Sequence, residues 1–281
     1  MILENLKKEF VNKLSVIYSD GEILFLFKIL CEEYLKIPSF KLLFSSKIVI
    51  KKSESDLFFN TIIRLLNEEP IQYILEKTSF YGLNFVCSPS ALIPRPETEE
   101  LVDWIVKSES AKITILDIGT GNGCISVSLA NNGFIVDALD ISYSALDLAK
   151  KNAFQNKVDI NFIEADIFNY DSNKKYDLIV SNPPYVRESE KKMMFKNVLN
   201  FEPSLALFVD DIDPLKYYNA ILKFANNNLE INGKIYFEIN EYLYNDMKEL
   251  LLNYGYTKIN IKKDIFKKNR FISAILKKRN K

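Results

Sequence analysis

Leu3, Leu6, Phe10, Leu14 and Ile17 recur at three- and four-residue intervals until Ser19-Asp20-Gly21 interrupts them, which predicts a first helix. The apolar run Ile23 to Leu35 predicts a buried second helix with Pro38 beyond its end. Ser53 or Ser55 is placed to cap a third, which carries Leu57, Phe58, Ile62, Ile63 and Leu66. Residues 1–78 are therefore expected to form a small all-α domain. It carries no catalytic constellation, so packing or partner recognition is its expected work.

Between Phe80 and Ile93 the pattern changes to aromatic and β-branched residues punctuated by Gly82, Ser88 and Pro89, which predicts a β-hairpin linker over residues 79–94. The rigid stretch Ile93-Pro94-Arg95-Pro96-Glu97-Thr98-Glu99-Glu100 then runs into an amphipathic helix through Leu101, Val102 and Ile105. Its glutamates suit the positive end of a helix dipole. Strands are predicted at Ile113–Ile118, Phe134–Leu139, Ile160–Glu164, Leu178–Ser181, Lys234–Ile239, Thr257–Ile261 and Phe271–Leu276, with helices between most of them. That alternation implies a doubly wound α/β sheet across residues 95–281.

Composition narrows the chemistry. With 37 basic and 37 acidic residues, the chain lacks the global positive field of a non-specific nucleic-acid binder. It contains no histidine, so His-dependent triads and His-rich metal centres are excluded. Cys31, Cys87 and Cys124 lack the spacing of a disulfide framework or a zinc site, and no metal is expected. No segment approaches 18 uncharged apolar residues, so a soluble, cytoplasmic protein without membrane partners is expected.

Two loops carry the candidate chemistry. The first strand ends in Asp117-Ile118-Gly119-Thr120-Gly121-Asn122-Gly123, directly before a helical run from Cys124. Glycines here let the backbone approach a ligand closely. The spacing differs from the G-x-G-x-x-G that accommodates a pyrophosphate. Asp117 would repel phosphate but suits the cationic amino-acid end of S-adenosylmethionine. Asp140, closing the second strand, fits adenosine ribose hydroxyls, and NAD enzymes place an acid similarly. Asp166 and Ile167-Phe168 could meet an adenine amine and its face, although a solvated loop Asp reads the same way.

The fourth strand runs into Asn182-Pro183-Pro184-Tyr185. In a doubly wound sheet this turn should share the crevice at the topological switch point with the glycine loop. Neither proline has an N–H, so the carbonyls are presented without local competition. An NH₂ group on a planar system could donate to the Asn182 side-chain oxygen and to the Pro183 carbonyl while Tyr185 stacks on its plane. The turn by itself admits adenine-N6, guanine-N2 and amide methylation alike, and a non-catalytic cofactor-binding scaffold is a further alternative.

From about residue 69 to the C-terminus the chain resembles the HemK/PrmC glutamine methyltransferases. The resemblance rests on Leu92-Ile93-Pro94-Arg95-Pro96-Glu97-Thr98-Glu99, together with Glu69-Pro70-x-x-Tyr73-Ile74, Phe80-x-Gly82-x-x-Phe85, the glycine loop, Asn182 to Tyr185, Glu202-Pro203-x-x-Ala206-Leu207 and Glu238-Ile239. It implies a helical substrate-recognition domain, a hairpin, and a seven-stranded Rossmann-like class I methyltransferase domain with one antiparallel strand. It implies methyl transfer from S-adenosylmethionine, leaving S-adenosylhomocysteine, to the N5 amide nitrogen of the glutamine in the Gly-Gly-Gln motif of class I peptide chain release factors, with no direct nucleic-acid substrate. Gly119, Thr120, Gly121, Asn122, Gly123, Asp140, Asp166, Ile167 and Asn182 are the implied cofactor contacts. Asn182, Pro183, Pro184 and Tyr185 are the implied glutamine contacts, with Asn182, Pro183 and Tyr185 as the catalytic group. The chain departs from the family's glycines at Glu76, Asn240 and Lys267, and in Asp210 to Pro214. The tail from Lys262 to Lys281 holds nine Lys or Arg against the single Asp264, which reads either as lysine-protected strand edges or as a contact for RNA or an acidic partner.

Overall fold

The computed structural model describes residues 1–44 and 46–277, so the last four residues of the basic tail lie outside the described set. The chain divides into two compact units, Met1–Leu75 and Glu76–Lys281.

The first unit holds helices α1 (Leu3–Leu14), α2 (Asp20–Leu35), α3 (Lys52–Leu66) and the single turn α4 (Ile71–Ile74). Leu6, Phe10, Leu14, Leu30 and Phe58 are fully buried in its core. The rings of Phe10, Phe27 and Phe58 meet at centroid separations of 5.4–6.4 Å, a spacing that favours tilted and edge contacts. Two helix starts differ from the expectation. α2 begins at Asp20 and so includes Gly21, because the Glu22 carboxylate accepts the Ser19 N–H at 2.9 Å and the Ser19 hydroxyl accepts the Glu22 N–H. This reciprocal cap outweighs the glycine. α3 begins at Lys52, where Glu54 accepts the Lys51 N–H, and Ser53 and Ser55 fall inside it. Of its apolar residues, Phe58 and Ile62 are buried, whereas Leu57 and Ile63 are exposed.

The second unit opens with a hairpin of β1 (Lys77–Phe80) and β2 (Leu83–Val86). Tyr81 and Gly82, with φ of 48° and 75°, form the two-residue left-handed turn that matches strand twist. The hairpin thus ends at Val86, short of the expected 94. α5 (Pro96–Ser108) follows, with Pro96 at its first turn. Alternation then runs through β3 (Thr114–Ile118), α6 (Cys124–Asn131), β4 (Ile135–Asp140), α7 (Tyr143–Gln155), β5 (Asn161–Glu164) and β6 (Tyr176–Ser181). After the short β7 (Val186–Arg187), α8 (Lys196–Phe201) and β8 (Phe208–Val209) come α9 (Lys216–Asn228), β9 (Leu229–Glu238), α10 (Tyr244–Asn253), β10 (Tyr256–Lys263) and β11 (Asn269–Leu276).

Seven strands form one sheet in the order β10-β11-β9-β6-β3-β4-β5. Only β11 runs antiparallel to its neighbours. The two-residue side-chain period splits the core into two layers. Leu116, Ile179, Ile235 and Phe237 pack with Tyr218 and Leu222 of α9 and Met247 of α10. Ile115, Leu178, Val180 and Tyr236 pack with Leu101 and Val102 of α5 and Ile125 of α6. Burying each such apolar side chain contributes roughly 1.5–3 kcal/mol. In the basic tail, Arg270 turns inward and pairs with the fully buried Asp264 at 3.1 Å, while β10 forms the sheet edge. Among the described residues no helix is long and apolar enough to cross a membrane.

Candidate active site

Strand register brings the two loops together. Ile118 on β3 lies opposite Ser181 on β6, and the Ser181 hydroxyl donates to the Ile118 carbonyl at 2.6 Å. The next residues on these neighbouring strands are Gly119 and Asn182, so both loops leave the sheet side by side. They border a cavity of about 380 Å³. Gly119, Thr120, Gly121 and Asn122 line one side, and Asn182, Pro183 and Pro184 another. Asp140, Asp166 and Ile167 of the expected set also line it.

Local chemistry explains each placement. Gly121 donates its N–H to Asp140 Oδ2 at 2.8 Å, and Ser142 donates to Asp140 Oδ1 at 2.9 Å. These bonds aim the carboxylate and leave each oxygen a further lone pair. Burial pushes the Asp140 pKa up, against the opposing pull of these backbone donors. Asp166 is fixed by the N–H of Phe168 at 3.0 Å and the side chain of Asn169 at 3.1 Å. Ser90 to Arg95, mostly within the stretch where the sequence predicted hairpin, also line the cavity. This segment is held by Glu202, whose carboxylate accepts from the Ile93 N–H at 3.2 Å and from Arg95 Nη2 at 2.6 Å.

Three expected residues stand elsewhere. Gly123 is absent from the cavity wall; it caps α6 at a φ of 83°, and a Cβ there would lie 3.1 Å from that of Ala149. Its role is close packing of α6 on α7. Asp117 sits wholly buried behind the loop, with Oδ2 accepting the Thr120 hydroxyl proton at 2.7 Å and Oδ1 without a partner. Burial raises its pKa to about 7. Tyr185, expected to stack on a planar substrate, does not line the cavity. Its ring packs on the core layer beside α9, and its hydroxyl donates to Glu238 Oε1 at 2.9 Å.

Several site residues escaped sequence reasoning. Thr98 lines the cavity, accepts from Asn182 Nδ2 at 3.3 Å and donates to Glu238 Oε2 at 2.7 Å. Tyr217 and Ile221 of α9 also reach the wall, Tyr217 with its ring centroid 5.4 Å from that of Phe168. Thr98, Glu202 and Glu238 all lay within motifs that signalled the family, but nothing in the linear pattern showed their partners. Asn240 donates its amide to the Tyr185 carbonyl and to Glu190.

Residues 97–201 match the family described as Methyltransferase small domain. A methyltransferase from Pyrococcus furiosus has a similar structure, with a TM-score of 0.53 at 18% identity over 78% of this chain and 99% of that one. At that identity the likeness speaks for the fold. A release factor glutamine methyltransferase from Bacteroides thetaiotaomicron is 42% identical over 92% of this chain and 94% of its own length. Another, from Flavobacterium psychrophilum, is 45% identical over 98% of this chain and 99% of its own length. With near-complete coverage at such identity, a seven-stranded sheet with one reversed strand, and a glycine loop facing an Asn-Pro-Pro-Tyr turn, the chain belongs to the release factor glutamine methyltransferase family.

Proposed function

We propose that this protein transfers a methyl group from S-adenosylmethionine to the side-chain amide nitrogen of the glutamine in the Gly-Gly-Gln motif of a class I release factor. The observation that carries this reading is the single cavity shared by the glycine loop and the Asn182-Pro183-Pro184 turn. Family membership selects the glutamine amide from the planar nitrogens the turn could hold.

The residues present fit the cofactor. Asp140, held on the cavity wall by two backbone donors, could accept from ribose hydroxyls, and Asp166 with Ile167 and Phe168 suits the amine and face of an adenine. Asp117 Oδ1 is a buried acceptor without a partner, the kind of group that an ammonium would satisfy. When bound, S-adenosylmethionine supplies a methyl already activated on its sulfonium sulfur.

The protein's own contribution is orientation. Asn182 Oδ1 and the Pro183 carbonyl would each accept one N–H of the glutamine amide, turning its nitrogen toward the methyl. Because Pro183 and Pro184 lack N–H groups, no neighbouring backbone donor competes for those acceptors. Tyr185 acts as a positioning residue: its hydroxyl on Glu238 and its carbonyl on Asn240 hold the turn's geometry. The amide nitrogen sheds one proton as it gains the methyl. Correct placement of reacting groups accounts for up to ~7–11 kcal/mol of a barrier.

The test is methyl transfer from labelled S-adenosylmethionine to a purified class I release factor. The reading expects label on the factor, and a loss on the order of 10²–10³ in rate for Asn182→Ala. Label on RNA and none on protein would instead support base methylation. An Asn182→Ala enzyme of normal rate would reject the assigned contact.

A further inference from the structure

The two ends of the Asn182 amide have opposite hydrogen-bonding character, so its use to a substrate NH₂ depends on which end faces the cavity. The surrounding network fixes that choice. The Thr98 hydroxyl has one proton and directs it to Glu238 Oε2 at 2.7 Å. Toward Asn182, 3.3 Å away, it can then only accept. The Asn182 NH₂ is therefore turned to Thr98, and Oδ1 is the free end.

Glu238 anchors this order. Its other oxygen, Oε1, accepts from the Tyr185 hydroxyl at 2.9 Å. Arg270 Nη1 lies 3.5 Å from that same hydroxyl, and a guanidinium cannot accept, so the tyrosine proton also points at Glu238. Burial pushes the Glu238 pKa up, while the hydrogen bonds from Thr98 and Tyr185 and the Arg270 charge pull it down and favour the ionised form, in which both oxygens accept. Glu238 and Thr98 are each 2% exposed, so water does not compete for these bonds. The pair joins α5 to the end of β9 across a sequence separation of 140 residues.

We propose that Glu238, acting through Thr98, is the positioning residue that sets the polarity of the Asn182 amide, so that the cavity meets a hydrogen-bond acceptor and not a donor. The proposal deepens the reading of Asn182 as the acceptor for a glutamine NH₂ and rests on it. Without the Thr98 hydroxyl the amide is free to rotate by 180° and present NH₂ to NH₂. With glutamine in place of Glu238, a donor enters the network. Thr98 can then pass its proton to Asn182, and the reversed amide becomes the satisfied one.

The experiment compares Thr98→Val, Thr98→Ser and Glu238→Gln with the wild type, measuring kcat, KM and S-adenosylmethionine affinity. In parallel, hydrogen exchange of the Asn182 side-chain NH₂ is followed by ¹⁵N NMR. For Thr98→Val and Glu238→Gln we expect kcat to fall by about tenfold or more with cofactor affinity within about twofold, as for loss of a transition-state contact. We expect Thr98→Ser to keep most of the rate, and Asn182 exchange to be slow in the wild type and Thr98→Ser but fast in Thr98→Val. Normal kcat in Thr98→Val, a Thr98→Ser enzyme as slow as Thr98→Val, or equal Asn182 exchange in both would overturn the proposal. If the wild type methylates no release factor, the functional reading fails, and the exchange measurement still decides the polarity of the amide.

Discussion

Asp117 illustrates what a single residue's environment does to its chemistry. Burial without a full set of partners raises its pKa to about 7. Between the unfolded value near 4 and this folded value, the native protein holds a proton that the unfolded chain has lost. Its contribution to stability is thus complete below about pH 4 and is lost as pH rises through about 7. We expect Asp117→Asn, which cannot ionise, to show a melting temperature that gains on the wild type from pH 5 to pH 8, while cofactor affinity falls. Parallel pH profiles for the two proteins would refute the linkage. A different residue-scale effect appears where the resemblance leads us to expect glycines. Glu76 and Lys267 adopt φ of 54° and 66°, in the left-handed region, so the backbone turn persists and an L side chain bears its cost. Lys267→Gly should stabilise the protein by about 1 kcal/mol, measured by denaturant unfolding. Asn240 took another course, using its amide to brace the Tyr185 carbonyl.

At the scale of elements, the alternation of short apolar runs with helical repeats made the sheet legible, because strands buried on both faces read as continuous apolar runs while helices repeat every three or four residues. Less legible was anything decided by a partner distant in sequence. Gly21 reads as a breaker until the Ser19–Glu22 cap is seen, and the hairpin pattern cannot tell β2 from the Ser90–Arg95 wall. Tyr185 was assigned to the right loop, but its side chain turns away from the cavity, since a side chain's direction depends on what packs behind it. Thr98 and Glu238 meet only because α5 lies over the end of β9. The wall segment supplies a test of its own. Glu202 is 5% exposed and holds both the Ile93 N–H and Arg95. Glu202→Ala leaves these donors unpaired and should cost about 1–3 kcal/mol. We expect faster cofactor release in stopped-flow measurements, and an unchanged release rate would show that the wall does not depend on this anchor.

For the whole molecule, the division into two units has a functional consequence. Residues 76–281 contain both layers of the sheet's core and every residue of the cavity, so we propose that catalysis and cofactor binding belong to that unit. Recognition of the protein substrate is the role we propose for Met1–Leu75, which has an aromatic core of its own and no part of the cavity. A fragment of residues 76–281 should bind S-adenosylmethionine and methylate a short Gly-Gly-Gln peptide, yet methylate the intact release factor at least tenfold more slowly than the full chain. Equal rates on the intact factor would remove the recognition role from the helical unit.

The central claim is the transfer of a methyl group to one glutamine amide, and fragmentation mass spectrometry of a release factor treated with this protein and S-adenosylmethionine tests it most directly. The account expects a single added methyl, localised to the side chain of the Gly-Gly-Gln glutamine. An unmodified motif under saturating cofactor, or a methyl on any other residue, would contradict it.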